Sequence, residues 1–306
     1  MNQSHQSVKV AVVQASPVIM DKSATVDKTV RLIKSAASQG AKIIVFPEAF
    51  IPAYPRGFSF GCVVGSRSME GRYDWQRFYE NSVTIPDEAT DSIGNAAKET
   101  QSFVSIGINE RDSLNGSLYC TNLYFGPDGS IMGKHRKLKP TGSERLIWGE
   151  GDGSTLATVQ TPYGVMGGLI CWENYMPLAR AAMYEKGVKI YVAPTADARE
   201  SWQYTMRHVA LESRSFVLSC NQYVEKNMVP EDLPGYSELK NQPEVMSVGG
   251  SAIIDPFGNY VAGPIYNREE ILTAELDLTA ITRSRLDFDP CGHYSRPDVF
   301  NLTVSS

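Results

Sequence analysis

Two stretches of this chain read almost alike. Gly40-Ala41-Lys42-Ile43-Ile44-Val45-Phe46-Pro47 and Gly187-Val188-Lys189-Ile190-Tyr191-Val192-Ala193-Pro194 place a glycine, a lysine and a proline at matching positions around an apolar run. The glycine suits the left-handed residue that stops a helix, the run is short enough for a fully buried strand, and the proline ends it. What surrounds them matches as well. A β-branched strand at Val8 to Gln14 and a helix at Thr25 to Ser38, with Val26, Val30, Leu32, Ile33 and Ala36 near helical spacing, precede the first copy. A strand at Val165 to Ile170 and a helix from Pro177 precede the second. After the first copy come a helix at Ala89 to Thr100, strands Phe103 to Asn109 and Tyr119 to Phe125, a Gly126-Pro127-Asp128-Gly129 turn and strand Ser130 to Lys134. After the second come a helix at Ser201 to Ser213, strands Phe216 to Asn221 and Gly250 to Ile254, an Asp255-Pro256-Phe257-Gly258 turn and strand Tyr260 to Gly263.

Each half has too few strands to close a barrel, and its helices cover one face of its sheet if the bare faces pack together. The expected fold is a four-layer α-β-β-α sandwich of two similar halves. It forms a single domain over residues 1–306, with a core over about 8–304. A doubly wound sheet is the other arrangement this alternation allows, but no GxGxxG or GxxxxGK[ST] supports a nucleotide site. Asn227 to Val245, rich in proline and charge, reads as a surface excursion.

Composition narrows the function. A net charge of -5 and a pI near 5.5 argue against a nucleic-acid or membrane-surface binder. Five widely spaced cysteines without a CxxC pair indicate neither a disulfide framework nor a zinc site, and four histidines form no HxxxH or HExxH pattern. No metal or cofactor is expected. Met1 to Ser7 lacks the basic start and apolar core of a signal peptide, and no run approaches a membrane span, so the expected compartment is the cytoplasm.

Three side chains carry chemical interest. Cys171 ends an apolar, glycine-rich strand and is followed by Asn174, a possible cap, and Pro177, which suits a first helical turn. A thiol at the positive end of a helix is expected to favour thiolate, the nucleophilic form. Glu48 follows the first repeat strand, where desolvation can raise a carboxyl's pKa and fit it for general-base work. Lys137 lies in the basic run Lys134-His135-Arg136-Lys137-Leu138-Lys139, and strand alternation can turn it inward while its neighbours face out. Alone, they read more readily as a buried small residue, a strand-end acid and a solvated basic face. Gly57-Phe58-Ser59-Phe60-Gly61 matches the GxSxG serine elbow but lacks the strand before and the helix after that the elbow requires.

Taken together, Phe46-Pro47-Glu48-Ala49-Phe50, His135-Arg136-Lys137-Leu138-Lys139-Pro140-Thr141 and Cys171-Trp172-Glu173-Asn174 resemble the three catalytic signatures of the nitrilase superfamily. Gly151-Asp152-Gly153-Ser154, Pro194-Thr195-Ala196-Asp197 and Gly292-His293-Tyr294-Ser295-Arg296-Pro297-Asp298 further resemble its true nitrilase branch, plant and bacterial. The resemblance implies Glu48 as general base, Lys137 as electrostatic stabiliser, Cys171 as nucleophile and Glu144 as the second glutamate that orients the lysine and contacts substrate. It also implies the α-β-β-α sandwich, a small-molecule nitrile as substrate, no cofactor, and a homodimer or larger homo-oligomer, spirals included. Tyr54, Trp172 and Trp202 fall near the motifs and are expected to line the pocket. An amidase or carbamoylase of the same superfamily, or a non-catalytic assembly-forming homologue, is the alternative reading.

Overall fold

The computed structural model describes residues 6–305. Strand β1 (Ser7–Gln14) is a valine-rich run buried over almost its whole length. Helix α1 (Lys22–Ser38) follows, with the Asp21 carboxylate accepting the Ala24 N–H at 2.9 Å and Thr25, Val26, Thr29, Ile33 and Ala36 on its buried face. Gly40, at φ +91°, turns the chain back into β2 (Ile43–Val45). A small hairpin, β3 (Cys62–Val63) and β4 (Ser66–Arg67), and helix α2 (Met69–Glu80) intervene before α3 (Glu88–Thr100). Strands β5 (Phe103–Arg111), β6 (Leu118–Phe125) and β7 (Ile131–Arg136) complete the first half.

The second half runs β8 (Thr158–Thr161), β9 (Gly164–Gly167), α4 (Pro177–Glu185), β10 (Val188–Thr195), α5 (Glu200–Ser213), β11 (Phe216–Asn221), β12 (Tyr223–Glu225), β13 (Val245–Ile254) and β14 (Tyr260–Tyr266). Strand β15 (Glu270–Asp277) and helix α6 (Thr279–Ser284) close the chain of elements. One sheet has the order β15-β1-β2-β5-β6-β7; the other runs β8-β9-β10-β11-β13, with β12 and β14 both paired to β13. In each, three neighbouring strands are parallel (β1, β2, β5 and β9, β10, β11) and are flanked by antiparallel ones.

The two-residue period of the repeat strands decides the layering. Ile43 and Val45 join Ile190 and Val192, with Val10, Val12, Leu218 and Ile253, in one core between the sheets. Ile44 and Phe46 face the other way, against Ile33 and Ala36 of α1 and Ile93 and Ala97 of α3. Tyr191 and Ala193 likewise meet Met183 of α4 and Met206 and Val209 of α5. The result is the four-layer α-β-β-α sandwich.

Several local expectations change. The strand expected to reach Ile170 ends at Gly167, and a tight 3-10 turn over Cys171–Tyr175 separates Cys171 from α4. Asn174 does not cap α4: its amide donates to the Leu169 and Cys171 carbonyls at 3.1 and 2.8 Å, fastening that turn from inside. Helix α2 and strands β8 and β15 carry no clear period in sequence. The stretch 227–245 is more than a surface excursion, since Val229, Leu233 and Leu239 are buried with Phe60 and Phe78 in a canopy beside the main core.

Candidate active site

Glu48 stands just past the end of β2, where the backbone of Pro47-Glu48-Ala49 presses against Gly107 of β5. A Cβ on Gly107 would lie 2.4 Å from the Pro47 oxygen and 2.7 Å from the Glu48 Cα, so only glycine permits the approach. The Gly107 N–H donates to Pro47 at 3.1 Å, its carbonyl accepts from Phe50 at 2.8 Å, and Gln222 donates to the Glu48 carbonyl at 2.8 Å. Lys137 follows β7 and extends its pairing by donating to the Cys120 carbonyl at 2.8 Å. Cys171 sits in the left-handed region, φ +49°, as does Ala49 after Glu48, φ +47°. A non-glycine residue there stores strain that the surrounding packing has to hold. Gly168 makes the approach possible, for a Cβ there would lie 1.9 Å from the Val192 oxygen.

These three segments bring their side chains to one buried point. Lys137 is fully buried and donates to Glu48 Oε1 at 2.6 Å and to Glu144 Oε2 at 2.8 Å. Glu144 is held in turn by the Thr141 N–H at 2.6 Å and the Tyr54 hydroxyl at 2.7 Å. Glu48 Oε1 also accepts the Cys120 thiol at 3.5 Å, while Glu48 Oε2 is buried without a donor in place. Thr195 Oγ1 donates to Cys171 Sγ at 3.2 Å, and the Glu48 charge acts on the same buried thiol.

The electrostatics reverse one expectation. Burial, and then the Glu48 charge, push the Cys171 thiol up to about 12, against the pull of Lys137 and the hydrogen bonds from Thr195 and the Ala196 backbone. Two carboxylates already share one ammonium, and a thiolate would add a third negative charge to the same buried space. Cys171 therefore rests as a thiol, and the position next to a short helical turn does not overcome that. Burial also raises Glu48, with Lys137 opposing and Glu144 assisting. Lys137 lies well above its usual value: burial works against its charge, but the Glu48 and Glu144 carboxylates on its ammonium outweigh that.

Of the residues singled out in the sequence, Glu48, Lys137, Glu144, Cys171 and Tyr54 come together. Trp172 stands at the mouth, 38% exposed, its indole N–H donating to Asp197 at 2.8 Å and its ring covered by Arg199 at 4.7 Å. Trp202 does not line the pocket. It is buried on α5 among Met206 and Tyr191, with its N–H on Ser219 at 2.9 Å, because it projects from the face of α5 that packs on the sheet. A cleft of about 180 Å³ bounded by Tyr54, Thr141, Glu144, Cys171, Trp172 and Asp197 opens above the thiol. A neighbouring cavity of about 480 Å³ shares Tyr54 and Glu144 and continues along Arg56, Phe58 and Ile147. Thr195 was not read as a site residue, yet the repeat itself carried the signal: it occupies the place in the second copy that Glu48 occupies in the first.

The carbon-nitrogen hydrolase family model matches residues 9–286. The chain is 53% identical over 297 residues to an aliphatic nitrilase of Sinorhizobium fredii (strain HH103), covering 97% of this chain and 95% of that one. It is 48% identical over 302 residues to the bifunctional nitrilase/nitrile hydratase NIT4A of Lupinus angustifolius, covering 97% and 86%. In fold it is similar to Saccharomyces cerevisiae Nit3, with a TM-score of 0.75 at 24% identity over 95% of this chain and 97% of that one. A carbon-nitrogen hydrolase from Helicobacter pylori gives a TM-score of 0.75 at 21% identity, covering 98% of both chains. The chain belongs to the carbon-nitrogen hydrolase family.

Proposed function

We propose that this protein is a nitrilase that converts an organic nitrile to the carboxylic acid and ammonia through a covalent bond to Cys171. The observation that carries the reading is Lys137, fully buried and bridging Glu48 and Glu144 beside a buried thiol. The names of the relatives above support the nitrile as substrate.

The chemistry follows from the resting charges. Moving the thiol proton to Glu48 leaves the net charge of the cluster unchanged, so sulfur can attack as that proton departs. The nitrile nitrogen gains electron density as the S–C bond forms. Two of the three Lys137 N–H donors are taken by carboxylates, and the third is available to that nitrogen. Glu48 then delivers the proton, giving a thioimidate. Water adds to the thioimidate carbon while Glu48 carries its proton to nitrogen. Glu48 then takes the proton of the new hydroxyl as C=O forms and passes it to the departing amine, which leaves as ammonia. A second water, its proton relayed by Glu48 to sulfur, cleaves the thioester and restores the thiol. Loss of Cys171 in place of ammonia from the first water adduct would release the amide.

Within this reading the catalytic unit spans residues 8–304 and works in the cytoplasm as a homodimer or larger assembly. Exposed Leu178, Tyr204 and Leu211 on α4 and α5 support self-association. Cys171→Ala, assayed for ammonia release over a panel of aliphatic and aromatic nitriles and their amides, is expected to retain its fold and lose all turnover. Ammonia release by that variant would overturn the covalent route, and faster wild-type release from amides than from nitriles would make the protein an amidase.

A further inference from the structure

His135 and Glu173 are both buried, and neither takes part in the chemistry above. Glu173 follows Cys171 by two residues but turns away from the cleft. Its Oε2 accepts the Ile170 N–H at 2.7 Å and its Oε1 accepts the Leu138 N–H at 2.6 Å. Ile170 is the residue before Cys171 and Leu138 is the residue after Lys137. One carboxylate thus joins the two segments that present the nucleophile and the ammonium. His135 Nε2 lies 2.9 Å from the same carboxylate, and His135 Nδ1 lies 3.0 Å from the Thr155 carbonyl. Both ring nitrogens face groups that accept, an arrangement that calls for a proton on each.

We infer that Glu173 is a positioning residue that sets the placement of Lys137 relative to Cys171, and that His135, held as imidazolium, keeps Glu173 ionised and aimed at the two backbone N–H groups. Burial opposes charge on both, but each outweighs that penalty for the other: His135 is raised and Glu173 lowered. Tyr124 and Tyr191 are the other titratable groups acting on Glu173, and burial pushes both phenols up, so they stay neutral. The inference rests on Lys137 and Cys171 acting together on substrate.

Glu173→Gln separates positioning from folding. Its amide keeps one acceptor oxygen, but its NH₂ must face an N–H donor, so the Ile170 and Leu138 contacts cannot both survive. A misplacement of about an ångström between reacting groups lowers the rate about 10²-fold. The full-length Glu173→Gln protein, with wild-type circular dichroism, is expected to lose about 10²-fold in kcat with KM little changed. Alkylation of Cys171 by iodoacetamide is expected to slow in parallel. An unchanged kcat per folded enzyme would reduce the pair to a structural role. Should the variant not fold, nitrogen NMR of the wild-type imidazoles decides: a His135 signal neutral at neutral pH would overturn the inference, and an imidazolium signal retained there would support it. Failure of the catalytic reading is distinct, since it would show as ammonia release by Cys171→Ala.

Discussion

β2 and β10 are matching strands of the two sheets, yet the first runs out onto a carboxylate and the second ends on a hydroxyl. Glu48 and Thr195 occupy equivalent places in the two repeats; Thr195 donates to the Cys171 sulfur at 3.2 Å, and the Glu48 charge acts on that sulfur. The fold supplies a sheet-end position twice. In the proposed mechanism the first copy carries the proton acceptor, and the second carries a hydrogen-bond donor together with the nucleophile. The difference teaches that the proposed reaction depends on two sheets keeping their relative placement, because its base and its nucleophile come from opposite ones.

That division of labour can be tested from its largest consequence downward. Glu48→Gln is expected to abolish turnover, because the rest of the cluster holds no second carboxylate free to take the thiol proton; activity near wild type would break the comparison outright. Lys137→Ala should lower kcat by about 10²–10³, the usual worth of one positioned donor at a developing anion, and single-turnover kinetics would show whether the chemical step is the one affected. Thr195→Val preserves shape and removes only the hydroxyl. Thr195 Oγ1 also accepts the Asp197 N–H at 3.0 Å; the bond to sulfur, a neutral one of about 0.5–1.5 kcal/mol, accounts for a drop in kcat of about tenfold or less. A loss as large as that of Glu48→Gln would mean that the two copies share the proton transfer. Gly107→Ala probes position without touching a reacting group: the added methyl collides with the Glu48 backbone, and an overpacking cost of about 1–3 kcal/mol should appear as a lower midpoint in urea.

The smallest expected effect is the pH dependence of stability from the His135–Glu173 pair. Glu173 is lowered, so its contribution is present above the ordinary carboxylate value of 4.5 and fades as pH falls through its folded value. His135 is raised, so its contribution is complete below the ordinary 6.5 and fades as pH rises through its folded value. The gap in Tm between wild type and the His135→Gln/Glu173→Gln double variant should therefore be widest between these two values. A gap that kept widening above them would contradict the assignment.

Much of this was legible in the sequence. The repeat gave the layers because strand alternation fixes which residues face the other sheet. Glu48, Lys137 and Cys171 stood out because three motifs in order carry more than any one. What escaped depended on groups far apart in the chain. Thiolate was expected at Cys171 from its neighbours, whereas its state follows from a carboxylate 123 residues away by number (171 minus 48) and from complete burial. Trp202 was assigned to the pocket by proximity to a motif, but which way a helix turns its faces is set by the sheet beneath it. Helix α2 buries only Gly71, Asp74 and Phe78, too few apolar positions to show a period.

The canopy of Phe60, Phe78, Val229, Leu233 and Leu239 lies in the insertions between repeat elements, outside the strands that hold Glu48, Lys137 and Cys171. The canopy and the residues around Cys171 are thereby carried by separable stretches of chain. Exchanging residues 58–83 and 226–245 for those of a relative is expected to rebuild the canopy with Glu48, Tyr54, Lys137, Glu144 and Cys171 left in place, and a nitrile panel reads the outcome.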